Sequence, residues 1–155
     1  MRHEVDEEFA RYVRARQHRL LRAAYLVCGD AHLAEDLLQG ALTKLAGRWD
    51  KIQHENPDAY VRRILYREAI SSWRHTRRES LGLIPPEPPT PDAVGAAVGR
   101  IDLERALTAL TPKQRAVIVL RYFEDRTEAD TAEALGVSVG TVKSQTSHAL
   151  GRLRQ

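Results

Sequence analysis

Apolar residues recur along this chain at intervals of three and four, with no sustained alternating stretch between them, so the pattern predicts helices throughout. The first runs from about Asp6 to Cys28, with Phe9, Val13, Leu20, Ala24 and Val27 on one stripe, and Gly29 with Asp30 breaks it. Asp30 then caps a second helix, Ala31 to about Trp49. Its inner face would carry Leu33 or Ala34, Leu37, Leu38, Ala41, Leu42, Leu45 and Trp49, leaving Glu35, Asp36, Gln39 and Thr43 outside. A polar loop, Asp50 to Asn56, leads to Pro57, which suits a first helical turn, and to a third helix from Asp58 to about Arg78. Tyr60 or Val61, Ile64, Leu65, the stem of Glu68, Ala69 and Ser72 would line its inner side.

Charge sets this third helix apart. Arg62, Arg63, Arg67, Arg74, His75, Arg77 and Arg78 make it strongly basic, and Tyr66 and Trp73 place flat rings one face over. Guanidinium groups follow phosphates and rings stack on bases, so such a surface fits separated or single-stranded DNA. An Arg-rich helix can equally be a solvated face, with Trp73 a core anchor.

Pro85, Pro86, Pro88, Pro89 and Pro91 crowd the next stretch, which predicts an extended tether over residues 80–97 between two domains, 1–79 and 98–155. Beyond it a helix from Val98 to Leu110 has Ile101, Leu107 and Leu110 on one side. Thr111, Pro112 and Gln114 form a capping box that opens a helix running to about Phe123, where Val117, Leu120 and Phe123 face inward. Thr127 with Asp130 opens a short helix that Gly136 must stop, and Ser138 caps a last one from Val139 to Arg154. This is a helix-turn-helix: Ala132 is small at the crossing, Gly136 takes a positive φ in the turn, and Val142 plugs the space between the helices. The inner side of the last helix carries Val142, Thr146, Ala149 and Leu153. Its outer side presents Thr141, Ser144, Ser147, His148 and Arg152 with Lys143 on the flank, groups sized for a groove and its phosphates. The fold class expected is therefore all-α: two small helical domains joined by a Pro-rich linker, with a C-terminal helix-turn-helix.

Composition narrows the function. A formal net charge of +3 over 155 residues leaves little non-specific grip on nucleic acid, so two small DNA-facing modules need a platform that raises their effective concentration. The single Cys28 lies in an apolar run and suits a buried, inert thiol in a reducing cytoplasm. No apolar run reaches membrane-spanning length, and the charged N-terminus has no signal-peptide pattern, so neither membrane insertion nor secretion is expected. His3, His18, His32, His54, His75 and His148 show no ligand spacing and no glycine-rich phosphate loop is present. Catalysis, a metal site and a cofactor are not expected.

In order along the chain, AEDLLQGALTKL (Ala34 to Leu45), PDAYVRRILYREAISSWRHTRR (Pro57 to Arg78), and TPKQRAVIVLRYFED followed by VGTVKSQ resemble regions 2.2, 2.3 with 2.4, and 4.1 with 4.2 of bacterial RNA polymerase sigma factors. The likeness is to the extracytoplasmic-function group, group IV of the sigma-70 type, and it covers nearly the whole chain. It implies a factor that binds core RNA polymerase, double-stranded and melted promoter DNA, and in many cases an anti-sigma factor. It places Asp36 and Gln39 against the polymerase clamp helices, and Arg62, Arg63, Tyr66, Arg67, Trp73 and Arg74 near the −10 element. It places Ser138, Thr141, Lys143, Ser144, Ser147, His148 and Arg152 near the −35 element. Some positions depart from the family: Gly40 stands where Glu is common, Arg67 and Ser71 where Asn and Asp are frequent, and Gln145 and His148 where arginines are common. The competing reading is a free-standing helix-turn-helix regulator, but no heptad seam for the dimerisation such proteins use is visible.

Overall fold

A computed structural model describes residues 2–79 and 103–154, with the side chains of residues 4, 6–72 and 103–154. The expected tether over 80–97 lies outside the described residues, as do the side chains of Trp73 and Arg74. Everything described is helix, turn or short connection, with no strand among the described residues.

Helix α1 (Arg2–Cys28) is closed by Gly29, whose φ of 77° is open to glycine and whose N–H reaches the Tyr25 carbonyl at 2.8 Å. Asp30 then caps α2 (Ala31–Gly47) by accepting from the Leu33 N–H at 3.0 Å. The inner stripe of α2 is as the spacing requires, with Ala34, Leu37, Leu38, Ala41, Leu42 and Leu45 buried, and Leu33 at its half-buried edge. Arg48 interrupts the helix, and a single turn, α3 (Trp49–Ile52), replaces the first part of the expected polar loop. The reason is packing: Trp49 and Ile52, three residues apart, both reach the core. The Trp49 indole meets Phe9 edge-on and Tyr12 at a tilt, each with centroids 5.4 Å apart. Asn56 caps α4 (Pro57–Glu79) through the Ala59 N–H at 3.1 Å, and Pro57 fills the first turn.

The second half begins with a helix over 103–108, α5, and a turn into the Thr111 cap. The capping box is complete, with Gln114 N–H to Thr111 Oγ1 and Thr111 N–H to Gln114 Oε1, both at 3.2 Å. Helix α6 (Pro112–Ile118) runs on into a π-helical turn, Val119–Phe123, rather than continuing as α-helix. The Glu124 N–H bonds the Val119 carbonyl five residues back, at 2.9 Å. Thr127 caps α7 (Glu128–Leu135), Gly136 stops it at φ 68°, and Ser138 caps α8 (Val139–Leu153). Val142, Val117 and Ala132 pack together between the helices of this helix-turn-helix.

The two halves meet. One hydrophobic cluster contains Val27, Leu45 and Leu65 from the first half with Leu107, Ile118, Leu120 and Ala149 from the second. Helix α4 lies against α6 and α7, while α1 lies against α6 and the π-helical turn. Arg115 is buried in this seam and donates to the carbonyls of Leu107 at 2.9 Å and Val27 at 3.0 Å. Burial pulls its guanidinium down to about 10, so it remains charged near neutrality. Arg19 fastens the rim, donating to the Phe123 carbonyl at 2.7 Å with its guanidinium over the Phe123 ring.

Candidate nucleic-acid interface

Three faces carry the residues singled out above. The first is α8. Val142 and Ala149 are fully buried beneath it, and this holds Lys143, Ser144, Ser147 and His148 outward and exposed. Ser138 and Thr141 are committed to the cap: Ser138 Oγ accepts from the Thr141 N–H at 3.1 Å and the two hydroxyls lie 2.9 Å apart. Arg152, at the far end, is exposed and donates to the Ala109 carbonyl at 3.3 Å. Its guanidinium fastens α8 to the turn after α5 rather than standing free at the helix tip. Val139, 40% exposed at the start of α8, is an apolar group on the same end that spacing alone does not single out. Such a group suits contact with a thymine methyl.

The second face is on α2. Asp36 and Gln39 are exposed and edge a shallow groove between α1 and α2, together with Gln17, His18, Glu35 and Leu38. The lining is mostly polar with Leu21 and Leu38 among it, as at the rim of a protein-docking surface.

The third face is α4, and here the structure departs from expectation. Tyr66, expected to offer its ring to bases, is only 1% exposed and its hydroxyl donates to Glu124 Oε2 at 2.5 Å. Burial first, and then the Glu124 charge and hydrogen bond, push the phenol well above its ordinary range, so it stays protonated as donor. Arg62 donates to Glu124 Oε1 at 3.2 Å and Arg63 to Glu133 Oε1 at 2.9 Å. Arg67 is exposed, but its guanidinium lies at the turn of the helix-turn-helix, where a Cβ added to Gly136 would sit 2.7 Å from Nη2. Tyr66 lies in the hydrophobic cluster shared by the two halves, and its hydroxyl is held by Glu124, the residue that follows the π-helical turn.

Glu124, Arg115 and Glu133 complete the arrangement and were not among the residues picked from the sequence. A signal for the first was present: Glu124 follows Val117 by seven and Leu120 by four, on the stripe that faces inward. Among the described residues no group of three or more His, Cys, Asp and Glu side chains could hold a metal, and no helix is long and apolar enough to cross a membrane.

Comparison with known proteins bears on the same two segments. Residues 12–79 match the family described as Sigma-70 region 2, and residues 100–153 match Sigma-70, region 4. The chain is 43% identical over 150 residues to the RNA polymerase sigma-E factor of Streptomyces coelicolor, covering 96% of this chain and 85% of that one. It is 33% identical over 142 residues to the ECF RNA polymerase sigma factor SigL of Mycobacterium tuberculosis, covering 87% of this chain and 80% of that one. The fold is similar to that of the sigma factor RpoE from Bartonella quintana, solved in complex with the anti-sigma factor NepR. The TM-score is 0.78 at 28% identity, over 96% of this chain and 95% of that one. With both regions matched in order and a 43% identical relative spanned nearly end to end, this chain belongs to the sigma-70 family, as an extracytoplasmic-function sigma factor that directs promoter-specific transcription initiation with core RNA polymerase.

Proposed function

We propose that the chain divides this work among its three faces, with 1–79 as the polymerase-docking and −10 module, 98–155 as the −35 module, and the Pro-rich stretch 80–97 joining them. The observation that carries the reading is the geometry of α8, whose buried Val142 and Ala149 present a continuous polar face of Lys143, Ser144, Ser147 and His148 to solvent. On this reading those four side chains contact the −35 element, with Ser138, Thr141 and Arg152 shaping the helix ends that approach phosphates. Asp36 and Gln39 dock on core polymerase. Arg62, Arg63, Tyr66, Arg67, Trp73 and Arg74 serve the melted −10 strand, which for Tyr66 requires the seam over α4 to part. The chain acts by binding rather than catalysis, in the cytoplasm where polymerase works. An anti-sigma factor is the natural inhibitor of such a chain, and the complex of the similar RpoE with NepR supports one here.

Reconstitution tests it. The purified chain, core RNA polymerase and genomic DNA fragments are mixed and transcript starts mapped. Starts that need both proteins, preceded by two short elements at fixed spacing, are the expected result. Stable sequence-specific DNA binding without polymerase, and no new starts with it, would overturn the assignment in favour of a free-standing regulator.

A further inference from the structure

We propose that Val139 sets the base preference at one edge of the −35 element, by packing its methyl groups against the C5-methyl of a thymine in the major groove. The inference deepens the −35 role given to α8 above and rests on it.

The fold itself makes little use of this side chain. Among the described residues Leu103, Tyr122 and Val139 are the large apolar groups left exposed, and of these Val139 alone lies on α8. It takes no part in either hydrophobic cluster of the described residues; just before α8 it is Val137 that packs against the cluster of Val117, Ala132 and Val142. A β-branched residue is also a poorer helix former than alanine, so the helix gains nothing from valine here. Position is what gives it a use. Val139, Lys143 and Ser147 stand four residues apart on one exposed stripe. From the first to the last is about 12 Å, the rise of three to four base pairs. Val139 stands at the N-terminal end, the end from which a recognition helix contacts base edges.

Chemistry narrows what Val139 can meet there. Its neighbours in the first turn are committed to the cap: Ser138 Oγ accepts from the Thr141 N–H at 3.1 Å, and the two hydroxyls lie 2.9 Å apart. Gly140 has no side chain, and a Cβ placed there would find Ser138 Oγ alone within 4 Å, at 3.8 Å, so nothing beside Val139 holds a base edge away. The free side chain that this turn offers a base pair is therefore an apolar one. In the major groove the matching group is the thymine C5-methyl, since the other distinguishing groups of the four pairs are hydrogen-bond donors and acceptors. Cytosine in its place would press its N4 amino group against the valine with no acceptor supplied. Valine in a helix also keeps one χ1 rotamer about 90% of the time, so its methyls stand in place before DNA arrives and little freedom is lost on contact.

Removing the methyl from the DNA tests this. The promoters are those found by reconstitution with core polymerase, and each thymine of the −35 element, on either strand, is replaced singly by deoxyuridine, which pairs identically but lacks the methyl. Holoenzyme carrying the unaltered chain or Val139→Ala is titrated with each fragment below the temperature at which the promoter opens. At one position uracil is expected to weaken the unaltered holoenzyme about three- to five-fold, the worth of one buried methyl, and to leave Val139→Ala unaffected. Lys143→Ala, which loses a phosphate contact, should respond to that uracil as fully as the unaltered chain does. Val139 is exposed, so Val139→Ala should unfold at the same temperature as the unaltered chain. Uracil effects that are absent, or equal in Val139→Ala and the unaltered chain at every position, would overturn the proposal, as would a −35 element without an A·T pair. Binding that is indifferent to scrambling the whole −35 element would instead overturn the −35 role of α8.

Discussion

Removing the Glu124 carboxylate probes the node where the two halves meet. Its side chain is fully buried, it accepts from Tyr66 at 2.5 Å and from Arg62 at 3.2 Å, and Arg62 retains 14% exposure. Breaking one side of a buried pair typically costs about 3–5 kcal/mol, because the remaining charge is left without a partner. Arg62 also edges the polar cleft and can recover part of its hydration, so Glu124→Ala is expected to cost about 2–4 kcal/mol. For a chain of this size that lowers Tm by roughly 4–16 °C. Urea unfolding followed by circular dichroism measures it. The controls separate the pair from the packing: Tyr66→Phe should cost about 1.5 kcal/mol, the worth of one hydrogen bond to a charged group. Glu124→Met with Arg62→Met should cost less than the sum of the singles by about 1–3 kcal/mol. A loss below about 0.5 kcal/mol for Glu124→Ala, the range of ordinary surface changes, would show that Glu124 is not enclosed in solution and would refute the reasoning.

Other expectations follow from the same geometry. Lys143→Ala should weaken −35 binding on all sequences and flatten its salt dependence by about one unit of slope, whereas Ser144→Ala or Ser147→Ala should change preference at one base pair by roughly 1–3 kcal/mol. Titrations against a panel of promoter variants distinguish the two, and uniform effects from all three would contradict the division. Asp36→Ala with Gln39→Ala should reduce core polymerase binding while each leaves unfolding within about 0.5 kcal/mol, and a large Tm loss would mark the pair as structural. Burial raises the phenols of both Tyr12, which also donates to Asp58, and Tyr66. A tyrosine raised in the folded chain contributes stability that is complete below the unfolded value, about 10, and is lost as pH climbs beyond it. Stability should therefore fall from about pH 10 upward by roughly 1.4 kcal/mol per pH unit for each such tyrosine, with Tyr66→Phe removing its share of that slope.

Sequence by itself determined the parts of this protein whose causes lie within about four residues. Asp30, Thr111 with Gln114, Thr127 and Ser138 cap their helices where the spacing placed them, and Gly136 turns between α7 and α8 because a positive φ was needed there. The stripe from Ala34 to Leu45 was equally legible, since a period of 3.6 residues sorts side chains by face before any partner is known. Periodicity also exposed Lys143, Ser144, Ser147 and His148 on the face of α8 opposite Val142. Where α3 replaced a loop, two apolar residues three apart were enough signal, but their short, polar surroundings concealed it.

Tertiary structure alone decided the rest. Tyr66 reads as an exposed ring on a basic helix and Arg115 as a charged residue that belongs in water, while Glu124 falls on the inward stripe with no partner visible nearby; each is buried with a partner 58, 88 or 62 positions away in the chain. A pattern of hydrophobic and polar letters assigns a charged side chain to solvent, because burying it unpaired is prohibitive. For Tyr66 and Glu124 the pairing that removes that penalty exists only once α4 meets the residue after the π-helical turn, and for Arg115 only once α6 meets the end of α1; no local spacing encodes either meeting.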